Sequence, residues 1–383
     1  MKRSNWIIFF VAIFLSTAIF ELQAQELFYN LSTVRKIETT NSKELKREAT
    51  CWSNAGSVFL ESELLRIGKD RLILSELSFV HSMYMKKADL YFKSDGNLRL
   101  DPAGTAYDVI VLAKEYGIVP DGEYYQPDAD LTDSRHKEGE MNAIMRGTLN
   151  MAKQQDAGEF SEQWRNMYTT SLLRYLGEPK QSFNVDGKKH TPISLLETSG
   201  LNMDDYILIT SKPGEKPNSI IKLQFDQNWA DHSFFNVSQN DLPRIIDSSI
   251  DGGYTVLWYG AINPDNVFDK EKMAIIPKTT LPGAVKTTEV PEIVFEPIPE
   301  MEITDQMRTE AFGKSIKSEQ DFLLIYGLKK DQNDKIYFTS QNVCSSENEL
   351  LNLSQPFITL NTIYLLVNKN ALPEDLKKAI QKM

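Results

Sequence analysis

The sequence has little of what builds metal centres or cross-linked scaffolds: two cysteines, Cys51 and Cys344, and four histidines, His81, His136, His190 and His232, in 383 residues. Two cysteines are too few for a disulfide framework. No pair of histidines stands at metal-ligand spacing, so neither a metal nor a cofactor is expected. Blocks of Lys and Arg are also lacking, and the formal net charge is -11. Nucleic acids and anionic membrane surfaces are held by clustered cations, so no nucleic acid is expected as a partner. Internal repeats and low-complexity tracts are missing as well, which excludes a solenoid.

No apolar run reaches the roughly 20 residues that cross a bilayer. The nearest candidate runs from Trp6 to Phe20, after the basic start Met1-Lys2-Arg3, and leads into Leu22-Gln23-Ala24 before the polar Gln25-Glu26. Basic start, short apolar core and small residue together predict a signal peptide over residues 1–24, cleaved after Ala24, and a periplasmic or extracellular protein. No cysteine stands near the cleavage point to carry a lipid.

Residues 25–383 read as a single α+β domain, with 41% hydrophobic residues overall to supply a core. A helical half covers residues 45–186. Trp52, Ala55, Val58, Phe59, Leu64 and Leu65 recur mostly at helical spacing up to Gly68, and Thr50 stands where an N-cap would. Helices are also predicted over 75–92 and 105–116, and the charged stretch 128–180 reads as a solvated helical insertion. A sheet half follows over 187–372, with β-branched and aromatic runs at 206–210, 220–225, 254–259, 322–328, 336–340 and 362–367. A helix over 241–250 interrupts it, and a short amphipathic helical tail occupies 373–383.

Chemistry concentrates at Cys51. A thiol in the first turn of a helix meets unpaired amides and the positive end of the helix dipole, which favour its thiolate. Trp52 would shield it. Alone, a Cys-Trp pair at a helix start is a weak signal, because most buried cysteines are inert hydrophobes.

The runs Cys51-Trp52-Ser53-Asn54-Ala55-Gly56 and Phe59-Leu60-Glu61-Ser62-Glu63-Leu64 resemble the nucleophile helix of papain-like cysteine peptidases, most closely the bleomycin hydrolase and aminopeptidase C family. Further segments resemble that family in order: 114–120, Ile245-Ile246-Asp247, 253–258, 302–312 and 367–373. The resemblance implies a papain-like fold with a helical half and an antiparallel, barrel-like half. It also implies acyl transfer by a thiolate, with a histidine base, an orienting asparagine and a glutamine in the oxyanion hole.

Carried over position by position, the resemblance places the nucleophile at Cys51 and the asparagine at Asn342, in the run Thr339-Ser340-Gln341-Asn342-Val343-Cys344. Cys344 stands where the family has tryptophan. The histidine position is Asp321, six residues before Gly327, and the glutamine position is Leu45, six before Cys51. An aspartate is a weak base, with a reference pKa of about 3.9, and its charge disfavours a neighbouring thiolate. Asp321 is expected as a solvated carboxylate where a strand begins. The substrate-binding loop matches residues 101–106, of which Gly104 alone keeps a glycine while Pro102 removes an amide donor. Gly104 and Trp52 are the substrate-binding candidates.

The expected function is therefore an exported pseudopeptidase that has lost its catalytic histidine and oxyanion glutamine. Two alternatives stand beside it: a weak cysteine aminopeptidase using Cys51 with Asp321, His232 or water as base, and a non-enzymatic peptide-binding or structural protein. Peptides with free amino termini, a homo-oligomer and a C-terminus lying in the cleft are implied by the resemblance alone. A Cys51–Cys344 disulfide is conceivable, but the strict geometry it needs favours side chains that point apart.

Overall fold

The computed structural model describes residues 29–40, 50–94, 98, 100–125, 134–155, 160–278, 297–345 and 349–382. The signal segment and Leu45 lie outside them. Among the described residues no helix is long and apolar enough to cross a membrane.

Helices dominate the first half: α1 (Cys51–Arg66), α2 (Glu76–Lys93), α3 (Ala106–Tyr116), α4 (Ser134–Gln155), α5 (Glu162–Leu176) and α6 (Pro192–Ser199). Later come α7 (Asp241–Asp251), α8 (Asp305–Ser315), α9 (Gln355–Asn361) and α10 (Glu374–Ile380). The strands are β1 (Ser32–Lys36), β2 (Tyr124–Tyr125), β3 (Glu178–Pro179), β4 (Phe183–Val185), β5 (Lys188–His190), β6 (Tyr206–Thr210), β7 (Ser219–Lys222) and β8 (Ser233–Asn236). They continue with β9 (Val256–Gly260), β10 (Val267–Phe268), β11 (Met273–Ala274), β12 (Asp321–Lys330), β13 (Ile336–Asn342), β14 (Leu350–Ser354) and β15 (Thr362–Asn368).

Eleven of these strands form one sheet in the order β10-β11-β14-β13-β12-β9-β15-β6-β8-β7, with β1 on the far half of β12. The expected antiparallel, barrel-like half is not confirmed, because the sheet is mixed. β11 with β14 and β6 with β8 run parallel, and among the described residues no pairing joins the edges β10 and β7.

Strand periodicity splits the core in two, because successive side chains point to opposite faces. Leu257, Tyr259, Phe322, Leu324, Tyr364 and Leu366 share one cluster with α1 to α6. Their neighbours Val256, Trp258, Leu323, Ile325, Leu365 and Val367 share the other with α7, α9 and α10. The stretch expected as a solvated insertion joins the first cluster: Met141, Met145, Leu149, Tyr168 and Leu172 are buried there, and the Tyr168 hydroxyl donates to the carbonyl of Tyr84 in α2 at 2.9 Å.

α1 runs through the middle of the helical half, buried at every residue from Trp52 to Leu64. Two buried carboxylates on it would be costly without partners. Glu61 accepts from the Leu74 amide at 2.8 Å and from the Thr40 hydroxyl. Glu63 accepts both arms of Arg66 at 2.9 Å and the amide of Asn368 in β15 at 2.9 Å. These bonds fix α1 against the sheet and so fix where its first residue stands.

Candidate active site

Cys51 opens α1, half-buried at the edge of the first core cluster. No acidic residue stands in the first turn to offset the helix dipole. Thr50 has φ -104° and ψ 11°, and its side chain does not cap the helix as expected.

The sulfur of Cys51 is bonded to that of Cys344, with the two Cα atoms 5.5 Å apart. This overturns the expectation that the side chains point apart. The physical reason is the docking of α1 onto the end of β13, where Asn54 Nδ2 donates to the carbonyl of Val343 at 2.5 Å. A Cα separation of this size lies within the usual range for disulfides.

Asn342 is the last residue of β13. Its Oδ1 accepts from the backbone amide of Cys344 at 2.9 Å, a local turn that aims the chain at Cys51. The oxygen that would orient a base is thus engaged in shaping the cystine.

Asp321 opens β12 opposite Gly260 of β9. On its other side Leu323 pairs with Asn342, and the Val343 amide donates to the carbonyl of Phe322 at 3.2 Å. Beyond Asn342 the chain leaves the strand in a bend at Val343 and Cys344. Asp321 is half-buried rather than fully solvated. Burial first, then the charges of Glu319 and Glu349, push its pKa from 3.8 to about 6.

Two of the imidazoles are engaged or buried within the helical half. His232 Nε2 bonds Asp108 Oδ1 at 2.8 Å, and the other oxygen of Asp108 accepts from the amide and hydroxyl of Thr105 at 2.7 and 3.0 Å, closing the N-terminus of α3. His81 sits in α2, where burial lowers its pKa to about 4. His190 lies in β5 opposite Phe183. The side chain of His136 lies outside the described residues.

Trp52 donates from Nε1 to the carbonyl of Pro102 at 2.7 Å. A Cβ at Gly104 would come within 3.0 Å of the Trp52 ring and 3.1 Å of Asp108 Oδ2, so packing alone disfavours a side chain there. Lys87, a buried cation of α2 that no motif points to, donates from Nζ to the carbonyls of Asp101 and Ala103 at 2.7 and 2.9 Å. Three successive carbonyls of the loop, 101 to 103, are therefore turned inward. The C-terminal helix does not lie with this group: Leu376 is buried in the second cluster, and Ala379 and Ile380 pack against it, on the opposite face of the sheet.

A crystal structure of PepW from Lactobacillus rhamnosis HN001 aligns with this chain at a TM-score of 0.63, over 92% of this chain and 85% of that one. The chain has a papain-like cysteine peptidase fold. Sequence identity to PepW is 15%, so the likeness within the papain-like fold is one of architecture. Xylellain, a cysteine protease from Xylella fastidiosa, aligns over 88% of this chain and 87% of its own at 13% identity and a TM-score of 0.38. No sequence family and no curated sequence relative matches. Among the described residues no group of three or more His, Cys, Asp or Glu is placed to hold a metal.

Proposed function

We propose that this protein is an exported pseudopeptidase of the bleomycin hydrolase and aminopeptidase C type, its nucleophile position sealed as a cystine. The observation that carries the reading is the Cys51–Cys344 bond. A sulfur in a disulfide has no thiolate to attack a carbonyl.

The surroundings point the same way. The base position holds Asp321 rather than an imidazole, and the oxyanion position holds Leu45. General acid-base catalysis contributes about two to four decades of rate and an oxyanion donor about two to three, so losing both removes most of the enhancement. The inward-turned carbonyls of the 101–103 loop cannot pair with a substrate backbone. Export is supported by the basic start and short apolar run, and a cystine persists best in an oxidising compartment.

The test assays the purified mature protein on aminoacyl and peptidyl amides, oxidised and after mild reduction, beside Cys51→Ala. The expected result is no turnover above Cys51→Ala in either state. Amide hydrolysis by the reduced protein that disappears in Cys51→Ala overturns the reading. Short peptides with free amino termini, titrated into the oxidised protein, show whether peptide binding outlives the chemistry.

A further inference from the structure

We infer that the Cys51–Cys344 cystine is a thiol–disulfide exchange site, which accepts two electrons from a dithiol partner and returns them to a disulfide. The inference rests on the cystine of the proposed function and not on the loss of hydrolysis.

Accessibility is the first support. The bond lies at the rim of the first core cluster, and both cysteines are only partly buried. A cystine that only staples a core can be enclosed completely, whereas an exchanging one must admit an attacking sulfur.

The two sulfurs are also chemically unequal. Cys51 stands at the amide-rich end of a 16-residue helix whose first turn holds no acid, which stabilises its thiolate. Cys344 lies in a bend two residues past the end of β13 and is not itself part of a helix. The better leaving group is therefore Cys51, and the sulfur open to attack is that of Cys344.

Thirdly, the frame stands without the covalent bond. Asn54 to Val343, the Cys344 amide to Asn342 and the Val343 amide to Phe322 are hydrogen bonds that reduction leaves in place. The two thiols stay close enough to close again.

The step balances as follows. A thiolate of the partner attacks Cys344 Sγ, the Cys51–Cys344 bond breaks, and its electron pair leaves on Cys51. The partner's second thiolate attacks its own sulfur in the mixed disulfide and expels Cys344, which takes up a proton. The partner dithiol ends as a disulfide and the cystine as two cysteines.

The test equilibrates the full mature chain, without denaturant, in glutathione buffers of graded ratio and counts thiols by alkylation and mass spectrometry while circular dichroism follows the fold. A reversible transition between cystine and dithiol with the fold retained is expected. A cystine that excess dithiothreitol reduces only after unfolding overturns the inference and leaves the pseudopeptidase reading intact. Amide hydrolysis by the same reduced sample would instead overturn that reading and leave the exchange result intact. A second measurement compares single thiols: reduced Cys344→Ala should react with glutathione disulfide at mildly acidic pH about tenfold faster than Cys51→Ala, because an ordinary thiol of pKa about 8.5 is then protonated. Equal rates overturn the assigned asymmetry.

Discussion

Asn54 donates to the carbonyl of Val343 at 2.5 Å across 289 residues of sequence, beside a disulfide that spans 293. The start of α1 is thus tied twice to the end of β13, once covalently and once by a buried hydrogen bond. Closing so long a loop restricts the unfolded chain, and removing such a cross-link typically costs about 2–5 kcal/mol. Cys344→Ala should lower unfolding stability by that order, and the reduced wild type should fall with it. Denaturant titrations of the three samples decide; equal stability of Cys344→Ala and the oxidised protein would contradict the tie.

Replacing Asn54 by alanine leaves the buried Val343 carbonyl without its donor, a loss of roughly 1–3 kcal/mol. Because the cystine remains, the variant should still fold and show no free thiol in a native count. Free thiols in Asn54→Ala would mean that the hydrogen bond, rather than the covalent link, holds the two segments together.

Asp321 gives a pH signature with a definite sign. Its folded pKa, about 6, lies above the ordinary 3.8, so the folded state holds the proton more tightly than the unfolded chain. That contribution is fully present below about pH 4 and is lost as pH rises through 6. Asp321→Asn, which mimics the neutral acid, should stabilise the protein by roughly 1–3 kcal/mol at pH 8 and hardly at all at pH 4. Urea unfolding at the two pH values checks this.

His81 acts in the opposite direction. Burial lowers its pKa from 6.5 to about 4, and its Nε2 has no hydrogen-bond partner among the described residues. Its neutral form is favoured by folding, so the contribution is present above pH 6.5 and is lost as pH falls toward 4. His81→Leu should flatten the acid limb of the stability curve by up to about 3 kcal/mol between those values. An unchanged limb would place the titrating group elsewhere.

Gly104→Ala forces a methyl within 3.0 Å of the Trp52 ring. Overpacking of this kind costs about 1–3 kcal/mol. A lower denaturation midpoint and altered tryptophan fluorescence are expected, and an unaffected variant would free Gly104 for a binding role.

Much of this architecture was legible in the sequence because it is written in side-chain pattern. β6 falls at residues 206–210 as expected, and α7 extends the expected helix by one residue to Asp251. β1 escaped because all five of its residues are exposed, leaving no alternation to see. α6 is only eight residues long, although Thr191 and Pro192 announce its start with a capping box and a proline in the first turn. At the site, motif comparison located Cys51, Asp321 and Asn342 as positions. It could not show that Cys51 meets Cys344, since nothing local encodes a contact between residues 293 apart. Lys87 did leave a trace: it stands three residues after Tyr84 and four before Tyr91, a cation on the apolar stripe of α2. The Asp108–His232 pair, 124 residues apart, left none.

The placement of α10 has a practical side. Leu376 anchors that helix in the cluster under α7, and Arg244 bonds Asp375 at its outer rim, on the sheet face turned away from α1. A tag or biotin added beyond α10 therefore immobilises the molecule with its cystine rim facing the flow. Captured on a sensor in that orientation, the protein presents the rim directly to thiol-bearing analytes.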